Sequence, residues 1–151
     1  MRISARADYA VRAALELAAA AGTPLKGERI AEGQEIPLKF LENILIELRN
    51  ADLVRSQRGP EGGYWLARPA ERIALGDVIR AVEGPLASVR GEAPEDVAYA
   101  GPAEALRTVW VALRANLRAV LDEVTLADVV SGTLPDEVLR ATRRRDAWVR
   151  R

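Results

Sequence analysis

Apolar residues recur at helical spacing through the first third of the chain, switch to alternation, and then return to a helical step. Residues 5–21, ARADYAVRAALELAAAA, place Val11, Ala14, Leu15 and Ala18 at helical intervals, with Ser4 as N-cap and Gly22 as stop. KGERIAEGQE follows as a short second helix with Ile30 and Ala31 inward. Pro37 suits the first turn of a third helix over 37–50, because a first-turn N–H has no partner inside the helix. Leu38, Leu41, Leu45 and Leu48 form its apolar stripe, edged by Phe40 and Ile44. Two short helices across a tight break are a helix-turn-helix pattern.

The period then changes. LVRSQR alternates, GPEGG supplies turn residues, and YWLAR returns with Tyr64 and Leu66 on one face, which predicts a two-stranded hairpin with a five-residue tip. LGDVIRAVEG reads as a brief helix with Leu75, Val78, Ile79 and Val82 inward and Gly84 as its end. Residues 84–102 hold no lasting period and read as a long irregular connection. Beyond it, Leu106, Trp110, Leu113, Leu117, Val120 and Val124 step alternately by four and three, a seam that seeks another helix. TLADVVSGTL predicts one more short helical turn, and PDEVLRATRRRDAWVRR a basic tail. The expected fold is mainly α with a small β-hairpin wing: a winged helix-turn-helix plus a long dimerisation helix. The expected divisions are 1–84 (winged helix-turn-helix), 85–102 (loop), 103–134 (dimerisation helix and short helix) and 135–151 (basic tail).

Composition narrows the chemistry. The 151 residues include no cysteine and no histidine, which removes disulfides, thiolate clusters, the usual zinc sites and every catalytic dyad built on those side chains. Net charge is zero but uneven: residues 1–70 carry ten basic and nine acidic groups, 71–134 six and ten, 135–151 six and three. That leaves room for a local basic face and argues against general polyanion coating. No apolar run is long enough for a membrane span and the N-terminus does not resemble a secretory signal, so the expected location is the cytoplasm, with no membrane partner.

On the outward side of the third helix, Lys39, Glu42, Asn43, Ile46 and Asn50 share a face. Such a stripe is also what a solvated helix face looks like. Preceded by a break and followed by a hairpin, however, it has the geometry that enters a major groove, where asparagine can pair with adenine, glutamate can accept from cytosine and lysine can reach guanine or phosphate. A phosphate-cradling nucleotide loop needs a Gly-Lys-Ser/Thr ending and a following helix, whereas GPEGG runs into the strand GYWL. Its glycines instead suit a hairpin tip brought close to another surface, with Arg58 at the lip either entering a minor groove or standing as an ordinary turn arginine. The expected DNA contacts are Lys39, Glu42, Asn43, Ser56, Arg58 and Gly59; no catalytic, metal or cofactor residue is expected. The acidic group Glu92, Glu95 and Asp96 reads as solvated acid, and Trp110 as an interface or core residue.

MRISARADYAVRA, IAEGQEIPLKFLENILIELRNADLVRSQRGPEGGYWLARP, DVIRAVEG and TLADVV, in that order, resemble the Rrf2-type winged-helix transcription regulators over residues 1 to about 130. The resemblance implies a dimeric DNA-binding protein, with the helix around Lys39, Glu42 and Asn43 in the major groove, Arg58 in the minor groove and a dimer helix over about 103–125. Cluster-binding members carry three cysteines in the loop matching 84–102, where this chain has SVRGEAPEDVAYAG. Some relatives take an acidic ligand at the position of Asp8, which without sulfur ligands cannot hold an iron–sulfur cluster. The expectation is therefore a colourless, homodimeric repressor of a palindromic operator, not an enzyme and not gated by a cluster. The alternative is a winged-helix sensor or interaction module acting through a small-molecule effector or an enzyme partner.

Overall fold

The computed structural model describes residues 1–150. Helix α1 (Ala5–Ala19) starts where the Ser4 hydroxyl accepts from the Ala7 N–H at 3.0 Å. Its deepest face is Ala7, Ala10, Ala13, Ala14 and Leu17; Val11, Leu15 and Ala18 are only half-buried. Of the four residues noted at helical spacing, Ala14 is thus fully buried and the other three pack against the core from its edge. Four alanines let α3 (Leu38–Asn50) and α4 (Leu75–Glu83) come close to the α1 backbone, which larger side chains would prevent.

Helix α2 (Gly27–Gln34) buries Ile30 and Ala31, as its spacing indicated. It ends at Glu35 in the left-handed region (φ 53°), and the Ile36 N–H returns to the Ala31 carbonyl, turning the chain into α3. Pro37 is the residue just before α3, and Leu41, Ile44, Leu45 and Leu48 are its buried stripe. Leu38 and Phe40 do not join that stripe, being 37% and 41% exposed. They belong to the first turn, which projects past the core, where Phe40 meets Tyr9 edge-on at 5.6 Å between ring centres.

Strands β1 (Val54–Gln57) and β2 (Gly63–Leu66) pair antiparallel, with Val54 opposite Leu66 and Gln57 opposite Gly63. Leu25 adds a one-residue third strand: its N–H donates to the Tyr64 carbonyl at 2.9 Å and its carbonyl accepts from Tyr64 at 2.8 Å. The wing is thus sewn to the segment entering α2. After α4, the loop carries buried Pro94 and Val97, then α5 (Leu106–Leu121) runs with no buried residue. Helix α6 (Leu126–Ser131) opens with a reciprocal Thr125/Asp128 capping box and returns Leu126 to the core, its N–H donating to the Ile73 carbonyl at 2.9 Å. Helix α7 (Asp136–Thr142) buries nothing.

Candidate nucleic-acid interface

The α3 stripe that faces away from the core presents Lys39, Glu42, Asn43 and Ile46, all exposed, with Arg49 and Asn50 continuing the outer surface. The face is polar except for Ile46, 44% exposed at its middle. A single exposed isoleucine is ordinary on a protein surface, and in a major groove its apolar counterpart is a thymine methyl.

Two hydrogen bonds hold the wing beside this helix. Arg49 Nη1 donates to Ser56 Oγ at 3.1 Å, linking the last turn of α3 to β1. Lys26 Nζ donates to the Gly59 carbonyl, linking the start of α2 to the hairpin tip. Of the expected DNA contacts, Lys39, Glu42, Asn43, Arg58 and Gly59 are exposed, while Ser56 is half-buried and engaged by Arg49. Arg58 meets no partner among the described residues, which leaves its guanidinium available at the tip. Sequence reasoning missed the bracing role of Lys26 and Arg49: Lys26 lies far from Gly59 in the chain, and Arg49 reaches Ser56 only because the chain turns between the end of α3 and β1.

Tip geometry explains the glycines. A Cβ on Gly62 would stand 2.1 Å from the Gln57 carbonyl oxygen, and one on Gly63 (φ 150°) 2.7 Å from the Leu25 carbonyl oxygen. The hairpin backbone is packed so closely that only glycine fits.

The interior end of α3 is tied to α1 and α4. Arg6 pairs with Glu47 and also donates through Nε to the Val82 carbonyl at 3.2 Å, while Ser4 donates to Glu83. These contacts fix the register of α3 against the N-terminus and α4. Next to them lies a groove of about 830 Å³, lined by Ile3, Leu86, Val89, Trp110, Leu113 and Leu117 among others.

That groove separates the expected seam into parts. Trp110, Leu113 and Leu117 are half-buried and look into the groove, whereas Leu106 and Val120 are 37% and 39% exposed, beside Val109 at 52%. Val124 does not belong to the seam. It is 3% exposed, lies past the end of α5, and its carbonyl accepts from the Leu75 N–H at 2.9 Å, so this chain's own core consumes it. The loop is pinned to α5 by two contacts: Trp110 Nε1 donates to Tyr99 Oη at 2.9 Å, and Arg114 pairs with Glu95 at 2.5 Å. Glu95 therefore has a partner cation, in contrast to the solvated acid expected of it. The Arg114 hydrogen bond, helped by a backbone one, holds the Glu95 carboxyl below its ordinary value.

A family model described as Rrf2, iron-dependent transcriptional regulator, matches residues 3–132. A Mycobacterium tuberculosis H37Rv protein named as an HTH-type transcriptional regulator is 55% identical over 139 residues, covering 91% of this chain and 86% of that one. The HTH-type transcriptional regulator CymR of Bacillus subtilis is 37% identical over 134 residues, covering 88% and 92%. The solved structure of CymR, titled the global cysteine regulator of B. subtilis, superposes with a TM-score of 0.73 at 35% identity, covering 88% of this chain and 98% of that one.

The iron in the family description finds no matching ligands here. With no cysteine and no histidine in the chain, the donor set that holds an iron–sulfur cluster does not exist. Among the described residues no three acidic side chains converge to replace it, and Asp8 is paired with Arg12 at 3.0 Å.

Proposed function

On the premise that this chain belongs to the Rrf2 family of transcriptional regulators, and is a winged-helix DNA-binding regulator rather than an enzyme, we propose that it is a homodimeric, sequence-specific repressor whose signal is not an iron–sulfur cluster. In each protomer α3 lies in a major groove with Lys39, Glu42 and Asn43 at base edges, and the hairpin delivers Arg58 to the neighbouring minor groove. Ser56 and Gly59 position that arm, the first through Arg49 and the second through Lys26. Two copies joined through α5 meet two half-sites of a palindromic operator.

The observation that carries this reading is the juxtaposition of an exposed polar row on α3 with an unpaired arginine on a braced glycine-rich tip. Selection of bound fragments from a random duplex pool tests it and yields the operator. Arg58→Ala is expected to weaken operator binding, and Asn43→Ala to relax preference at one base pair by about 1–3 kcal/mol. Unchanged affinity and preference in both variants would reject the groove placement. Transcription in vitro from a promoter overlapping the selected site reads repression against activation.

A second reading, effector sensing, is favoured by the groove between the N-terminus, the 84–90 loop and α5, which has the size of a small-molecule site. A ligand there would touch Ser4 and Glu83, beside the Arg6–Glu47 pair that holds α3. It complements the DNA-binding reading, and ligand-dependent release from the operator would establish it.

A further inference from the structure

Residues 1–134 carry sixteen basic and nineteen acidic groups, a net charge of −3. The α3 and wing surface itself carries only a small excess, Lys26, Lys39, Arg49, Arg55 and Arg58 against Glu42, Asp52 and Glu61. Duplex DNA is a dense line of phosphates, and neutralising them supplies most of the sequence-independent part of affinity. The body of this protein is poorly provided for that task.

The opposite holds at the C-terminus. Residues 138–150 carry Arg140, Arg143, Arg144, Arg145 and Arg150 against a single aspartate. The segment is folded: α7 is followed by turns in which Ala147 N–H returns to Arg144 and Val149 N–H to Asp146, and the Trp148 indole N–H caps the Thr142 carbonyl at 2.7 Å. None of its residues is buried, and the Trp148 ring is 82% exposed. The side chains of Arg143, Arg145 and Arg150 meet no acidic partner among the described residues, and Arg144 sits 3.8 Å from Asp146 in the open. Cations at a helix C-terminus do stabilise its dipole, but that effect fades within a turn and reaches neither Arg150 nor the exposed indole. Packing does not explain the segment either.

Its exit point matters. Helix α6 ends at Ser131 in a shallow hollow shared with Ala18 of α1 and with Ala70 and Glu71, just beyond the second wing strand. The chain leading to the tail thus departs from beside the segment that follows the second wing strand, a few residues before α7 begins.

From this we infer that residues 138–150 form a second, sequence-independent DNA-contacting element, whose arginines neutralise backbone phosphates flanking the operator. The inference rests on the groove placement of α3 and the wing, and adds phosphate contacts to the few which that surface supplies.

The test uses the full-length chain and a variant carrying Arg143→Gln, Arg144→Gln, Arg145→Gln and Arg150→Gln, with circular dichroism confirming that the fold is kept. Affinity is measured from low to physiological potassium chloride on two duplexes: the selected operator extended by flanking sequence, and one of mixed sequence. Each neutralised phosphate contributes about 0.9 to the slope of log affinity against log salt, so the variant slope should be shallower by about three to four on both duplexes. Operator preference over the mixed duplex should be unchanged. Equal slopes with normal operator binding would overturn the tail's role alone, whereas absence of any duplex binding by the full-length chain would remove the groove placement with it. Equal slopes combined with tail-dependent retention on phosphatidylcholine–phosphatidylglycerol vesicles would assign the arginines to a membrane surface instead and also overturn the inference.

Discussion

Arg12 of α1 donates through Nη1 to the carbonyl of Gln34, the last residue of α2, at 2.7 Å. That carbonyl stands one residue before the left-handed Glu35, so a single guanidinium fixes the point at which the chain reverses into α3. The same side chain pairs with Asp8 and lies 4.9 Å over the Tyr9 ring, and Tyr9 in turn abuts Phe40 of α3. Arg12→Met keeps most of the volume and removes the donors. It should cost about 1–3 kcal/mol, since a half-buried carbonyl loses its charged partner. Urea unfolding measures this; a loss below about 0.5 kcal/mol would mean that backbone contacts alone hold the turn.

Glycines in this chain divide by what surrounds them. Gly62→Ala drives a methyl group into the Gln57 and Arg58 backbone, atoms that cannot swing aside. About 1–3 kcal/mol of destabilisation is expected, together with a loss of operator affinity at least as large as that of Arg58→Ala, because the tip that aims Arg58 is deformed. Gly33, inside α2, offers the contrast: a Cβ there meets only the end of the Glu16 side chain at 3.4 Å. Gly33→Ala should gain up to about 1 kcal/mol through lower chain entropy in the unfolded state and better helix propensity. Opposite signs for the two substitutions in one denaturation series check the assignment.

The Glu95–Arg114 pair sets a pH window for the loop. A carboxyl whose folded-state value is lowered contributes stability above its unfolded value and loses it as pH falls through the folded one. The pin between loop and α5 should thus survive mild acid in which free glutamates protonate. Side-chain carboxyl NMR should find Glu95 titrating below 4.5, and Arg114→Ala should bring it back toward that value. A Glu95 midpoint unaffected by loss of Arg114 would show that the loop's own backbone, rather than the arginine, lowers it.

The helices and the hairpin were legible because each writes its period into neighbouring residues: Leu41, Leu45 and Leu48 announce α3, and the alternation around GPEGG announces the wing. Contacts between distant segments leave no such mark. Lys26 with Gly59 and Glu95 with Arg114 become neighbours only through the tertiary fold, so the wing's bracing and the loop's anchor could not be read locally. In α1, apolar residues on every side hid which face lies deepest, and packing distance, rather than hydrophobicity, selected the alanines. Val124 was misplaced for a different reason. The four-three step continues arithmetically past Leu121 although the helix does not, and a signal for the break was present: Thr125 and Asp128 have the spacing of a capping box, which puts Val124 just ahead of a new helix.

Once Val124 is removed from the seam, the stripe left facing outward is Leu106, Val109 and Val120, on a helix of sixteen residues, roughly 24 Å long, with no buried residue of its own. Apolar side chains repeated along one line of a helix, beside the face the loop already covers, are what a second copy would cover, and the proposed repressor depends on that pairing to engage two half-sites at once. Val109→Asp with Val120→Asp places two charges on the stripe without touching the winged-helix core, so each protomer should keep its fold and its α3 surface. Sedimentation equilibrium should then show a dimer for the natural sequence and a monomer for the variant. Affinity for a single half-site should persist while affinity for the full operator falls by about a hundredfold or more, the loss expected when an intramolecular second contact becomes a separate encounter. A variant that stays dimeric would move the interface off this stripe to the groove lined by Trp110 and Leu117, and a natural protein that is monomeric at operator-saturating concentration would end the paired model altogether.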